Sequence, residues 1–383
     1  MTVDTEAAAP AAAPDRPLRL RRVTTEGALT LIGAAAGALG LVWVLYERVL
    51  PFTGAIGFWL CWYGTFLVLY AAMAALQWDK LTVRDRVAAV ALWTGGLLAT
   101  AIVIDQVAYT LVRGFAVVRH VGFFRQDMAN EGPLSAQTVG GVRHAIIGTL
   151  EQITLATIIA VPLGIMAAVF LAEVGGRMSR PVRTIVDAMT ALPDIISGLF
   201  ILAFAILTLG MPRSGLAASL ALAVTMLPIV TRASEAVLRI VPGTLREASY
   251  ALGGSQWRTV LNVVLPTARS GLSTAVVLAM ARGIGETAPV LLTAGYSRVT
   301  NVDPLHNWQT SLPLYIFYEI QLPQNTEKVR AFGAGFALVI VVLILFFIAR
   351  RLGGVAPGEL TRRQRREIAR EGARATAREG APS

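Results

Sequence analysis

Eight apolar runs divide the chain, at residues 28–46, 55–76, 87–112, 145–174, 185–210, 215–231, 270–294 and 331–349. A helix needs about 20 mostly apolar residues to cross the hydrocarbon layer of a bilayer. The pattern therefore predicts an all-α, polytopic membrane protein with about eight transmembrane helices. The first run is uncharged over 19 residues. That is longer than the apolar part of a cleaved leader, so it is expected to stay as a span. Asp105 falls late in the third run, and Pro162, Pro193, Pro228 and Pro289 fall inside later ones. Each proline reads as a kink or as a hinge, because it removes a helical hydrogen bond and crowds the preceding turn. Only residues 211–214 separate the fifth and sixth runs, which predicts a hairpin.

The polar segments carry sidedness. Lys and Arg number 24 in 1–27, 77–86, 175–184, 232–269 and the segment from 350 onward, against 9 in the segments that alternate with them. Positive charge marks the cytoplasmic side of a membrane protein, so both termini are expected in the cytoplasm and the chain in the cytoplasmic (inner) membrane. The Ala/Pro-rich segment 1–27 ends in Arg16, Arg19, Arg21 and Arg22 and reads as a tail with a basic anchor. The tail at 353–383 is basic as well and is expected to rest on anionic lipid headgroups.

Composition excludes other classes. Of 383 residues 55% are hydrophobic and 15% charged, against roughly 25% charged in a soluble domain. The net charge of +10 follows from the sidedness of the loops, and no aromatic platform accompanies it, so nucleic acid is not an expected partner. Cys61 stands alone, and His120, His144 and His306 are scattered. Neither a disulfide framework nor a metal site is predicted. Lys80 and Lys328, the two lysines, both lack the Gly-Lys-Ser/Thr context that holds nucleotide phosphates. The chain is expected to hydrolyse nothing and to hold no cofactor.

The segment 232–269 is the most informative. Pro242 suits a helix start, residues 244–252 read as a short helix, and Gly253-Gly254 supplies a left-handed end. Ser255 can cap a second helix over 256–264, which Pro266 is expected to stop. On physical grounds alone this is a helix–glycine–helix unit that could equally be an amphipathic loop on the membrane surface. Its residues say more. Glu247-Ala248-Ser249, three residues, Gly253, nine residues, then Val263-Val264-Leu265-Pro266 resembles the EAA loop of bacterial ABC importer permeases, with Ser and Val as mild departures. The blocks Leu227–Glu235, Ala281–Pro289 and Leu312–Ile316 narrow the resemblance to the PstA-type permeases of phosphate importers, over roughly residues 80–352.

That resemblance implies a type I (MetI-like) permease fold and a division of the chain. The division is a tail at 1–27, an extra helix pair at 28–78, a permease domain at 79–352 containing the coupling loop, and a tail at 353–383. It implies that Glu247, Ala248, Gly253, Leu265 and Pro266 dock on a separate PstB-type ATPase dimer, which carries the ATP and Mg. It also implies a homologous PstC-type permease and a PstS-type binding protein that delivers inorganic phosphate. Rival expectations are a permease for another oxyanion, such as sulfate or molybdate, and a non-transporting membrane sensor or scaffold.

Charges inside spans mark candidate path residues, because each costs about 2.5–3.5 kcal/mol at a span centre on insertion scales. Arg282 and Glu286 lie four residues apart, one turn along one helix face, and read either as a structural ion pair or as an anion path. A guanidinium fork matches phosphate oxygens, which favours the path. Thr287 and Arg232 join the candidates through the resemblance. Glu151 and Asp194 look unusual for the family and receive no role from it. Glu151 is expected near water at the end of its span, and Asp194 reads as either a transport or a packing residue beside Pro193.

Overall fold

The computed structural model describes residues 25–49, 54–132 and 135–353, with the backbone alone for residues 352 and 353. Of the expected tails, 1–24 (with Arg16, Arg19, Arg21 and Arg22) and 354–383 lie outside the described residues. Within them the chain is helical, with no strand. Seven helices are long and apolar enough to cross a membrane, or eight if one bent pair counts as a span. The chain divides into two compact units within one long helix, at Asp105.

The first unit holds α1 (Thr25–Val44), α2 (Ala55–Ala75) and the start of α3 (Lys80–Val118). Ala34 and Ala38 of α1 pack on Phe66 and Tyr70 of α2. Small residues let the backbones approach, and in lipid such contact drives association in place of the hydrophobic effect. Trp62 adds an indole hydrogen bond to the Ala35 carbonyl at 3.1 Å.

The second unit contains the end of α3, a short α4 (Gly122–Arg125), α5 (Arg143–Val169), α6 (Ser179–Ala191), α7 (Asp194–Ile201) and α8 (Gly215–Ile240). After these come α9 (Gly243–Ala251), α10 (Gln256–Thr259), α11 (Leu265–Gly285), α12 (Ala288–Thr293), α13 (Leu312–Ile320) and α14 (Asn325–Gly353). Its core is the pairing of α5 with α8, closed by Ile153, Ala156, Ala160, Ala218, Leu222 and Met226. A Cβ at Gly164 would sit 2.7 Å from Val230 Cγ1, so this crossing depends on the glycine. Pro162 and Pro228 remain inside continuous helices.

Four expectations are corrected. The fifth run is not one continuous helix, because α6 and α7 meet at 103°. Leu192 is forced extended by the proline that follows it, and Pro193 then starts the new helix. The seventh run also breaks, after Gly285, since a helix continuing through Pro289 would press its ring on the Gly285 carbonyl. Pro266, by contrast, stops nothing. A π-helical turn at Val260–Val264 joins α10 to α11 in one 30-residue rod, and the wider turn relieves the clash that a proline makes in a regular helix. Lastly, α8 runs beyond the expected end at 231 to Ile240, so Arg232 and Glu235 are helical.

Candidate functional site

The two broken helices face each other. A Cβ at Gly198 of α7 would lie 2.6 Å from Pro289 Cα, so α7 rests directly on the backbone at the start of α12. This contact brings Asp194, the first residue of α7, to the last turn of α11. Arg282 Nη2 lies 2.7 Å from Asp194 Oδ2, and Arg282 Nε lies 3.6 Å from Glu286 Oε1. The expected pairing of Arg282 with Glu286 along one helix face is therefore secondary. Glu286 stands past the helix end in extended backbone (φ −74°, ψ 123°), and Asp194 is the nearer partner. Asp194 carried the same signal as Arg282, a charge in an apolar run, but the sequence offered nothing to join residues 88 apart.

Asp194 and Arg282 line one cavity of about 310 Å³, together with the hydroxyl residues Thr190, Ser197 and Thr225 and with Pro228. The rest of its wall is apolar. Glu286 lines a smaller crevice with Thr149, Gln152 and Ser311. Thr287 sits half-buried at the N-terminus of α12 without a side-chain cap bond. The arrangement is a guanidinium flanked by two carboxylates, inside an apolar wall interrupted by hydroxyls.

Arg232 belongs to a separate cluster. Its Nη1 lies 3.1 Å from Glu235 Oε2, and it also pairs with Asp187 of α6. The buried Glu235 further holds Arg183 at 2.6 Å and Arg239 at 2.7 Å. No ion pair among the described residues joins this cluster to Arg282, Asp194 and Glu286, although Pro228, one turn before Arg232, lines the cavity.

The helix–glycine–helix unit forms as the sequence predicts. Gly253 ends α9 with φ +79°, and Ser255 caps α10. Ser249, the departure from the family pattern, has a physical use, since its Oγ lies 2.8 Å from Thr259 Oγ1 across the elbow. The elbow is pinned by Arg246, which forks onto Glu173 at 2.6 and 3.0 Å and also donates to the Val241 and Leu238 carbonyls. Sequence reasoning missed this pair, because the two residues lie 73 positions apart. Glu247 and Ala248 are exposed, as is an apolar rim formed by Leu245, Tyr250, Leu252 and Trp257. Leu265 is half-buried and Pro266 exposed on the rod above.

At the opposite end, the segment after α12 enters the bundle. The Gln309 side chain sits against Gly215, and the Thr310 carbonyl against Gly148, where any Cβ would collide. Gln309 donates to Glu151 and accepts from Gln152 at 3.3 Å. Glu151 is thus half-buried and engaged rather than turned to solvent. Beside this plug, Glu131 holds Arg298 and the fully buried Arg330, and Arg330 also binds Glu327 at 2.9 Å. No group of His, Cys, Asp and Glu among the described residues could hold a metal ion.

Comparison with known proteins follows this geometry. Residues 160–355 match the family of binding-protein-dependent transport system inner membrane components. The chain is 40% identical over 284 residues to the phosphate transport system permease protein PstA 1 of Mycobacterium tuberculosis, covering 74% of this chain and 90% of that one. It is 40% identical over 261 residues to the PstA of Mycobacterium leprae, covering 68% and 85%. Among solved structures it is similar to the inward-facing MetNI methionine ABC transporter, at 23% identity over 56% of this chain and 93% of that one, with a TM-score of 0.44.

Proposed function

The chain belongs to the binding-protein-dependent transport inner-membrane components, and within them to the PstA-type permeases. On that footing we propose that it is the transmembrane subunit through which an ATP-binding cassette importer passes inorganic phosphate. The observation that carries the path is the Arg282–Asp194 pair, set where two broken helices meet and lining their shared cavity. Discontinuous helices are where membrane transporters build substrate sites, since polar groups there face a cavity rather than lipid. Arg282 supplies the fixed positive charge, which lowers the cost of bringing an anion into a low-dielectric interior. Glu286 and Thr287 flank it, and Arg232 lies further along α8 toward the elbow.

The same reading assigns the partners. A PstB-type ATPase dimer grips the elbow at Glu247, Ala248 and Gly253, whose exposed apolar rim suits burial against another protein. Closure of that dimer on ATP and Mg moves the rod of α10 and α11 through Leu265 and Pro266, and Arg282 rides on its far end. A homologous PstC-type permease covers the open side of Arg282, and a PstS-type protein delivers phosphate to the Gln309 end. Elbow and termini then lie in the cytoplasm, in keeping with the excess of Lys and Arg on that side.

Uptake of labelled phosphate into vesicles carrying the purified complex, with binding protein outside and ATP inside, tests the path. Arg282→Gln is expected to abolish uptake while the complex assembles and its basal ATPase activity persists. Arg282→Lys is expected to recover part of it, because an ammonium cannot reproduce the fork. Uptake by Arg282→Gln at the wild-type rate would remove Arg282 from the path.

A further inference from the structure

Arg282 does not offer the cavity a free fork. One of its terminal nitrogens is already 2.7 Å from Asp194 Oδ2, and both side chains line the same wall. An ionised carboxylate only accepts hydrogen bonds. An anion that reaches this guanidinium comes within reach of the Asp194 oxygens too, and every oxyanion presents oxygens of its own. Two acceptors brought together without a hydrogen between them repel, and both lose the bonds they made elsewhere.

Near neutral pH phosphate keeps at least one P–OH, whereas sulfate keeps no proton. Phosphate can therefore present an unprotonated oxygen to Arg282 and a hydroxyl to Asp194. Resting on the reading of this cavity as the phosphate path, we propose that Asp194 is a specificity-determining residue. It accepts a hydrogen bond from the protonated oxygen of the substrate and so turns away oxyanions that carry no proton. Thr190, Ser197 and Thr225 spend their single hydroxyl hydrogens on the Val186, Asp194 and Leu222 carbonyls, so they offer the anion no donor, and Asp194 is the charged acceptor in this wall. Glu286 stands beside this pair, 3.6 Å from Arg282 Nε. A closed site built around a substrate hydroxyl rejects the analogue lacking it by about 10⁴–10⁵. The Asp194 side chain is 30% exposed, so solvent weakens the penalty, and roughly ten- to a hundredfold is expected.

Equilibrium binding of labelled phosphate to the intact complex in lipid nanodiscs, without the binding protein, tests this. Arsenate, which also keeps a proton, should displace the label from the wild-type complex, and sulfate should need at least about tenfold more. Asp194→Asn, whose amide donates as well as accepts, should bring sulfate within about threefold of arsenate. Asp194→Glu should keep the wild-type order. Sulfate matching arsenate in the wild type, or an unchanged order in Asp194→Asn, overturns the proposal while leaving the phosphate path standing. A wild-type complex that binds no phosphate overturns the path itself, and the proposal with it. If Asp194→Asn does not assemble, Asp194→Ser, which also removes the carboxylate and can donate, replaces it with the same two outcomes.

Discussion

Two buried carboxylates meet under the plug. Glu319 accepts from the Tyr296 hydroxyl at 2.6 Å, and its carboxyl also meets that of Glu327, to which only a shared proton can join it. Burial, then the neighbouring Glu327, pushes Glu319 up to about 7. Tyr296, Tyr315, Glu327, Glu131, Arg298 and Arg330 are the charged and titratable groups around it. A raised carboxyl stabilises the fold fully below its unfolded value of 4.5 and loses that contribution as pH rises through about 7. The loss is on the order of 3 kcal/mol. Melting of the purified complex should therefore fall between pH 5 and 8, and Glu319→Gln, neutral at every pH, should flatten the curve. A variant as pH-sensitive as the wild type would defeat this account. At this scale Arg282 was legible, because a charge in an apolar run is conspicuous. Its partner was not, and neither were the pairs Glu173–Arg246 and Glu131–Arg330, since no period or spacing in a sequence links residues so far apart.

The elements were legible where local chemistry decides them. Gly253 and Ser255 placed the elbow to within a residue, because a left-handed turn and a cap each need particular side chains. Proline was legible at Pro193 and Pro289, where a bend was expected, and misled at Pro266. Pro266 sits in an unbroken rod because a π-helical turn makes room for it, while Pro193 and Pro289 bend the chain where tertiary contact holds the break open. The elbow also carries a prediction. A Cβ at Gly253 costs about 1–2 kcal/mol in the left-handed conformation. Gly253→Asp should therefore insert at normal level but lose the ATPase or its coupling to uptake. Normal ATPase co-purification together with normal uptake would separate the elbow from coupling.

For the whole molecule, the count of spans and the permease architecture were legible from the apolar runs and the EAA pattern. The division inside α3 was not, because a continuous helix shows no boundary in its sequence. The resemblance begins near residue 80, so the first two spans are expected to lie outside the transport path. A chain starting near Gln77 should insert with the same sidedness, since two crossings are removed together, and should keep most phosphate uptake. Complete loss of uptake at normal abundance and partner binding would place the first pair in the path.

Two facing helix breaks leave backbone groups open inside the bundle. Helix ends leave their outermost N–H and C=O groups without partners along the helix, and hydrocarbon supplies none. The first break, at Leu192–Asp194, opens on the cavity that Arg282 also lines, and Glu286 of the second break opens on the smaller crevice beside Thr149 and Gln152. If the cavity is the phosphate path, an anion arriving there meets a guanidinium and open helix ends in place of hydrocarbon, and the cost of its crossing is the cost of desolvation at that one place.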